Sequence, residues 1–165
     1  NSVSFYVGSQ DSDPYGIEFN QDGDNMYITG NSNDTVYQYT LSTDWELSTA
    51  SYASKSLYVG WVERTPLSTA LSKDGTKMYL TGNFMDNINE FTLTTPWDIS
   101  TAVFDSNVDY DFSYYVGSQD GYPRSMNFAP DGLTMYMVGD SGNRLYQYSL
   151  STAWDISTAT YTSKA

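Results

Sequence analysis

A stretch of about 50 residues occurs three times along this chain of 165 residues. Each copy contains an Asp-Gly pair, then Met-Tyr, then a Gly, and finally a Trp followed by an acid, a Leu or Ile and Ser-Thr-Ala. In each of three marker series the separations are 52 and 57 residues. Such constant spacing indicates that a single structural unit has been duplicated. The three marker series are Asp22, Asp74 and Asp131; Trp45, Trp97 and Trp154; and Pro14, Pro66 and Pro123.

The residues between these markers are typical of short β-strands. The chain has 16 Tyr, and its Thr, Val, Ile and Phe lie in short runs separated by Gly, Asn, Asp and Ser. No segment shows the i, i+3, i+4 apolar spacing of an amphipathic helix. In the first copy the predicted strands cover residues 16–20, 26–29, 36–41 and 51–59, and in the last copy the fourth strand covers 161–164. Four strands in a repeat of this length predict an all-β chain of three β-propeller blades.

The two ends of the chain fit together as parts of one blade. Joining residue 165 to residue 1 continues the repeat with a spacing of 56 residues, between the two internal spacings. We therefore predict blades at approximately 9–60, 61–117 and 118–165, the last completed by residues 1–8 of a partner chain. Known propeller rings use roughly four to eight blades, so three blades leave two open edges. The predicted assembly is a homodimer that closes a six-bladed ring. The alternatives are a nine-bladed trimer and a fragment of a longer single-chain propeller.

Composition excludes several classes of function. A formal net charge of −13 argues against binding to nucleic acid or to an anionic membrane surface, and no apolar run is long enough to cross a bilayer. The chain contains neither Cys nor His. It therefore lacks thiol chemistry, the usual general base and the commonest ligand of transition metals.

The repeat resembles one found in proteins of marine bacteriophages and ocean metagenomes. The matching strings are residues 74–79 (Asp-Gly-Thr-Lys-Met-Tyr), 36–43 and 96–102, and the resemblance extends over essentially the whole chain. It implies a propeller, often within a larger phage structural or tail-associated protein, and a virion-associated or extracellular location. It implies no catalytic residue.

An acidic residue recurs in the loop that enters the first strand of each blade. Asp11, Glu63 and Asp120 occupy this loop in the three copies. In a closed ring they would form a circle of carboxylates able to bind a cation or a polar ligand. The alternative, which we favour, is that they cap the turns in which they lie.

Loop residues that depart from the repeat consensus are the other candidates. A scaffold position should keep its residue type in all three copies, so a departure marks either a ligand contact or neutral variation of a surface loop. Aromatic and cationic departures on one rim suit a glycan or peptide pocket. Trp45, Trp97 and Trp154 keep their type and are interpreted as blade anchors. The predicted ligand-binding residues are Asp11, Asp13, Tyr15, Trp61, Glu63, Arg64, Phe84, Asp120, Tyr122, Arg124 and Arg144.

The function predicted from sequence is non-catalytic. We predict a recognition or structural module that binds a glycan or another virion protein. The alternatives are a passive spacer and a metal-dependent hydrolase of the lactonase or phosphotriesterase type. The hydrolase would hold a divalent cation such as Ca²⁺ on channel residues Glu18 and Asn127, with Asn20 as a further ligand. No other cofactor is predicted.

Overall fold

The computed structural model describes residues 3–104 and 113–162, and within them the strands form three antiparallel sheets. The first sheet contains β1 (Pro14–Phe19), β2 (Asn25–Gly30), β3 (Thr35–Leu41) and β4 (Ala50–Tyr58). The second contains β5 (Pro66–Leu71), β6 (Lys77–Gly82), β7 (Asn87–Leu93), β8 (Ala102–Val103) and β9 (Ser113–Tyr115). The third contains β10 (Pro123–Phe128), β11 (Thr134–Gly139), β12 (Arg144–Leu150) and β13 (Ala159–Tyr161). One turn of 3₁₀ helix precedes β4, β8 and β13, at Leu47–Thr49, Ile99–Thr101 and Ile156–Thr158.

Each sheet is a meander of four neighbouring strand positions. The strand order is sequential in all three, and β8 and β9 both pair with β7, so that together they occupy the fourth position of the second sheet. This confirms the predicted all-β architecture of three four-stranded blades. In the first sheet β4 pairs with the whole of β3, whereas β13 pairs only with residues 148–150 of β12. The predicted continuation of the last strand through residues 163 and 164 lies outside the described residues.

The repeated Asp-Gly pair and the repeated Trp lie against each other inside each blade. Gly23, Gly75 and Gly132 have φ values of 79°, 70° and 71°, which a tight turn demands and which Gly adopts without strain. A Cβ atom on any of the three would lie within 2.4 Å of an indole atom of the Trp in the same copy. The backbone N–H of each Trp also donates to the carbonyl of the same Gly, at 2.9 to 3.0 Å. The spacing between these two markers is constant because they form one contact.

Neighbouring sheets are joined by a repeated set of hydrogen bonds. The Tyr27 hydroxyl in the first sheet donates to the Trp97 carbonyl at 2.8 Å, and the Tyr79 hydroxyl in the second donates to the Trp154 carbonyl at 2.5 Å. A second pair of hydrogen bonds also connects each sheet to the next one at equivalent repeat positions. The Ile99 N–H donates to Gln38 Oε1, and the Ile156 N–H donates to Glu90 Oε2, both at 3.2 Å.

The apolar core lies largely between the sheets rather than within them. Tyr27 and Val36 of the first sheet pack with residues of the second, and Tyr79 and Ile88 of the second pack with residues of the third. These four side chains are completely buried. Each blade therefore contributes to the core of the blade that follows it, as expected when both faces of a sheet are covered.

Candidate functional site

The three recurrent acids are buried inside their loops. The exposed fractions of Asp11, Glu63 and Asp120 are 2%, 0% and 3%. Each carboxylate accepts a hydrogen bond from the backbone N–H two residues later and from two successive N–H groups in the turn between the second and third strands of the same blade, at 2.7 to 3.3 Å. The structure shows the turn-capping alternative, because all three carboxylates are buried and accept from the N–H groups of turns. The donors are Asp13, Ser32 and Asn33; Thr65, Phe84 and Met85; and Tyr122, Ser141 and Gly142.

The carboxylate of Asp120 has a fourth donor in the Tyr146 hydroxyl, at 3.2 Å. Burial alone would raise the pKa of Asp120, but the hydrogen bonds from Gly142, Tyr122, Ser141 and Tyr146 together hold its pKa below the ordinary value. The ionised form is therefore the one that the folded loop stabilises.

A cavity beside the first strands of the three blades is lined by all three sheets, and we call it the mouth cavity. Its volume is about 390 Å³. Tyr15 and Arg124 both line it, and the hydroxyl oxygens of Ser68 and Ser125, which also line it, lie 3.3 Å apart. Tyr15 and Arg124 belong to the set predicted from sequence. Gly16, Ile17 and Leu67 complete the lining.

Sequence reasoning missed the two serines. Ser68 and Ser125 occupy one repeat position, which is Gly16 in the first copy and directly follows the variable position of Tyr15 and Arg124. Because two of the three copies share this residue type, the serines are not departures from the repeat consensus. Their position next to that variable residue is the signal that could have identified them.

Two arginines on the rim are held in the same way. The Arg124 guanidinium carbon lies 5.0 Å from the centroid of the Tyr122 ring, and Arg64 lies 5.1 Å from that of Phe84. Arg124 also donates to Asp140 Oδ2 at 2.9 Å. Arg124 contributes to the lining of the mouth cavity, whereas Arg64 does not.

Three other predicted residues lie apart from the mouth cavity. Trp61 packs edge-on against Phe104 and Phe91, with ring centroids 4.9 and 6.2 Å away. Arg144 lines a different cavity on the outer face of the third sheet. Asp13 accepts a hydrogen bond from the Asn31 amide at 2.9 Å on the rim.

A second cavity, of about 360 Å³, lies at the opposite ends of the inner strands. Glu18, Lys73, Trp97 and Trp154 are among its lining residues. Burial raises the pKa of Glu18 to about 7. The Trp rings contact their turn glycines, which agrees with the predicted role of blade anchors. Trp97 and Trp154 also reach this cavity, and Trp45 is 61% exposed, so the first Trp is not a core residue.

The other two residues proposed to hold a cation are not among the residues that line the cavity of Glu18, and each has hydrogen-bond partners in its own turn or strand. Asn20 is buried, where its amide oxygen accepts from the N–H groups of Gly23 and Asn25. Asn127 is exposed, and its Oδ1 accepts from the N–H of Phe128 at 2.7 Å. In residues 3–104 and 113–162, no group of three or more acidic side chains is arranged to hold a metal ion.

No family model and no curated protein matches the chain. Solved structures do match it. Hydrazine synthase from Kuenenia stuttgartiensis is 17% identical with a TM-score of 0.63, over 98% of this chain and 40% of that one. The periplasmic gluconolactonase of Pseudomonas aeruginosa is 10% identical with a TM-score of 0.55, over 92% and 40%. The Swd1 β-propeller domain of Myceliophteria thermophila is 10% identical with a TM-score of 0.51, over 91% and 42%.

These likenesses concern the fold alone, because the identities are low. The chain spans about 40% of the length of the structures that it matches. No helix among the described residues is long and apolar enough to cross a membrane. The three meandering sheets, the core between them and the similarity to propeller structures together show that the chain has a β-propeller fold.

Proposed function

We propose that the mouth cavity binds a carbohydrate and that the chain acts as a non-catalytic recognition module. The observation that carries this proposal is the cavity in which an aromatic ring, two hydroxyls and a guanidinium from three different sheets meet. A sugar presents apolar C–H faces and hydroxyls, which suit the Tyr15 ring and the donors and acceptors of Ser68, Ser125 and Arg124.

The chemistry of these groups favours binding over reaction. A serine hydroxyl becomes a nucleophile only beside a general base, and the residues that line this cavity include no His, Lys, Asp or Glu. Arg124 cannot lose its proton at physiological pH and acts as a donor only. Its contacts with Tyr122 and Asp140 hold the guanidinium in place before a ligand arrives, which reduces the entropy lost on binding.

The proposed setting comes from the resemblance of the repeat to marine phage proteins. In a virion-associated or extracellular protein, a glycan on a cell surface is the ligand that this cavity would meet. Another virion protein is the alternative partner, and it would use the same aromatic and cationic rim.

The two stacked arginines provide a matched test. Arg124→Ala should remove the guanidinium from the cavity and weaken glycan binding at least tenfold, whereas Arg64→Ala removes an equally stacked arginine outside the cavity and should leave binding unchanged. A glycan array would identify the sugar, and calorimetry would measure the affinities of both variants. An array without any bound sugar, or equal losses in the two variants, would contradict the proposal.

A second candidate function is hydrolysis at the opposite cavity. The observation that favours it is Glu18, whose pKa of about 7 suits a general base near neutral pH. Lys73 lines the same cavity and could stabilise a developing negative charge. Assays of the intact chain on lactones, with and without Ca²⁺, should then show turnover that Glu18→Gln abolishes. Turnover that persists in Glu18→Gln would exclude this role.

A further inference from the structure

The two end faces of the three-sheet array expose residues that are buried everywhere else in the repeat. On the third sheet, Leu145 is 67% exposed, while its equivalents Val36 and Ile88 are fully buried. Tyr136 is 36% exposed, while its equivalents Tyr27 and Tyr79 are fully buried. We call the surface formed by Tyr136, Val138, Leu145 and Gln147 the trailing face.

The first sheet shows the complementary pattern on its other side. Ile17 is 59% exposed, while its equivalents Thr69 and Met126 are 4% and 5% exposed. An apolar groove of about 250 Å³ runs beside it and is lined by Phe5, Val7, Met26, Ile28 and Leu47, among others. We call this surface the leading face.

Each internal core contains a Tyr and a branched apolar side chain of the preceding sheet at the same two repeat positions, and the core of the first sheet lacks this pair. Tyr27 and Val36 enter the core of the second sheet, and Tyr79 and Ile88 enter that of the third. The core of the first sheet is built of its own residues, together with the segment that precedes β1. The residues of the third sheet at these two repeat positions are Tyr136 and Leu145 of the trailing face. Neither belongs to a hydrophobic core among the described residues.

The hydrogen bonds between sheets are incomplete in the same way. Tyr27 of the first sheet and Tyr79 of the second each donate to the Trp carbonyl of the next sheet. The equivalent donor on the third sheet is Tyr136, and the equivalent acceptor on the first sheet is the carbonyl of Trp45. The side chains of Gln38 and Glu90 accept hydrogen bonds from the backbone N–H groups of Ile99 and Ile156 in the next sheet. The equivalent acceptor on the third sheet is Gln147, and the equivalent donor on the first sheet is the N–H of Leu47.

We infer that the trailing face of one chain packs on the leading face of a second copy of the same chain, and that two such contacts close a six-bladed ring. The occupant of each face is identified by continuity with the two interfaces already present inside the chain. Both partners of every missing contact are supplied by this sequence, at the positions that the repeat assigns to them. A six-bladed ring lies within the range of known propellers, and a two-fold closed dimer leaves neither face exposed.

The register of the contact between two chains follows from the two internal examples. Tyr58 pairs with Thr35, and Tyr115 pairs with Asn87. The corresponding residues at the ring closure are Tyr6 and Arg144, of which Tyr6 is 77% exposed and Arg144 is exposed. Residues 4–6 of one chain therefore continue the fourth strand position beside residues 144–146 of the partner, with which β13 itself does not pair.

This inference does not depend on the proposed ligand, and its first test is the mass of the chain in solution. Sedimentation equilibrium or light scattering should give twice the chain mass. Leu145→Arg should raise the dissociation constant at least tenfold, because it places a charge in the apolar interface. Leu133→Arg, in the turn of the same sheet and away from both faces, should remain dimeric. A monomer, a trimer or an open polymer in the wild-type protein would overturn the inference.

The register is tested independently by a cysteine pair, since the chain has no Cys of its own. The Tyr6→Cys/Arg144→Cys variant should form a covalent dimer on mild oxidation, visible on a non-reducing gel. Tyr6→Cys/Ser149→Cys serves as the control, because Ser149 pairs with Thr160 of its own chain and should not cross-link to position 6. Equal cross-linking of the two variants would overturn the proposed register.

Discussion

The internal sheet-to-sheet interfaces and the two end faces are built from the same repeat positions, yet their exposure differs sharply. Ile88 and Tyr79 are completely buried, whereas Leu145 and Tyr136, at the equivalent positions, are 67% and 36% exposed. The residue types at these positions remain apolar or aromatic on the end face. The difference therefore reflects the missing neighbouring sheet rather than a surface adapted to water, and large exposed apolar patches of this kind mark interaction surfaces.

The largest expected effect comes from shortening an apolar side chain at the internal interface. Ile88→Ala should lower the free energy of unfolding by about 3 kcal/mol, because it opens a cavity between the second and third sheets. Leu145→Ala should change it by less than about 0.5 kcal/mol at dilutions where the chain is monomeric, since an exposed side chain leaves no cavity. Urea unfolding monitored by circular dichroism measures both. Equal losses would mean that the end face is already covered within one chain.

The buried carboxylate of Asp120 should stabilise the third sheet through hydrogen bonds within the same chain. Asp120→Asn should cost about 2 kcal/mol, since the amide cannot accept all the hydrogen bonds that reach Asp120. Asp140→Asn, on the exposed rim of the same sheet, removes a surface ion pair with Arg124 and should cost less than about 1 kcal/mol. Thermal unfolding of both variants would separate them, and a larger loss for Asp140→Asn would contradict this assignment.

Glu18, in the first sheet, makes the stability of the fold depend on pH. Its pKa in the folded chain, about 7, lies above its ordinary value of 4.5, so the folded state holds the proton more tightly than the unfolded state does. The wild-type protein should therefore lose stability as the pH rises from about 4.5 to 7, and Glu18→Gln should lose about 2 kcal/mol less over that range. Tyr27 pairs with Glu18 and Lys73 lines the same cavity, so both must be kept in the variant. Parallel stability curves for the two proteins would show that folding does not raise the pKa of this carboxyl.

The smallest effect is expected from single hydroxyl groups. Tyr79→Phe removes a hydrogen bond to the Trp154 carbonyl and should cost about 1 kcal/mol. Tyr136→Phe removes the equivalent hydroxyl from the trailing face and should cost nothing in the monomer, while weakening the dimer. Unfolding at several protein concentrations distinguishes the two effects, and an equal loss at high dilution would break the comparison.

The repeat markers made much of the fold predictable. Constant spacing of Pro, Asp-Gly and Trp gave the three blades, and the strand boundaries predicted from residue type agree with the observed strands to within a few residues. The candidate site was less predictable. Tyr15 and Arg124 were identified as departures from the repeat, but Trp61 and Arg144, selected by the same criterion, pack elsewhere.

The acids show why spacing alone could not decide the site. Asp11, Glu63 and Asp120 recur at one loop position, and recurrence is compatible with either a ligand ring or a structural cap. Only the direction of each carboxylate, toward the N–H groups of a turn about twenty residues further along the chain, distinguishes the two. That direction depends on how two loops pack together, which a single stretch of sequence does not show.

The sequence by itself determined the blades and their number, because these depend on residue type and on spacing within one copy. The tertiary structure decided that each turn glycine contacts its Trp, and it decided which repeated residues are buried between blades, which are buried in loops and which line the mouth cavity. The physical reason is that burial depends on the neighbouring sheet. The same Tyr of the repeat is inaccessible at residues 27 and 79 and accessible at residue 136, because within residues 3–104 and 113–162 a further sheet follows the first two of these tyrosines but not the third.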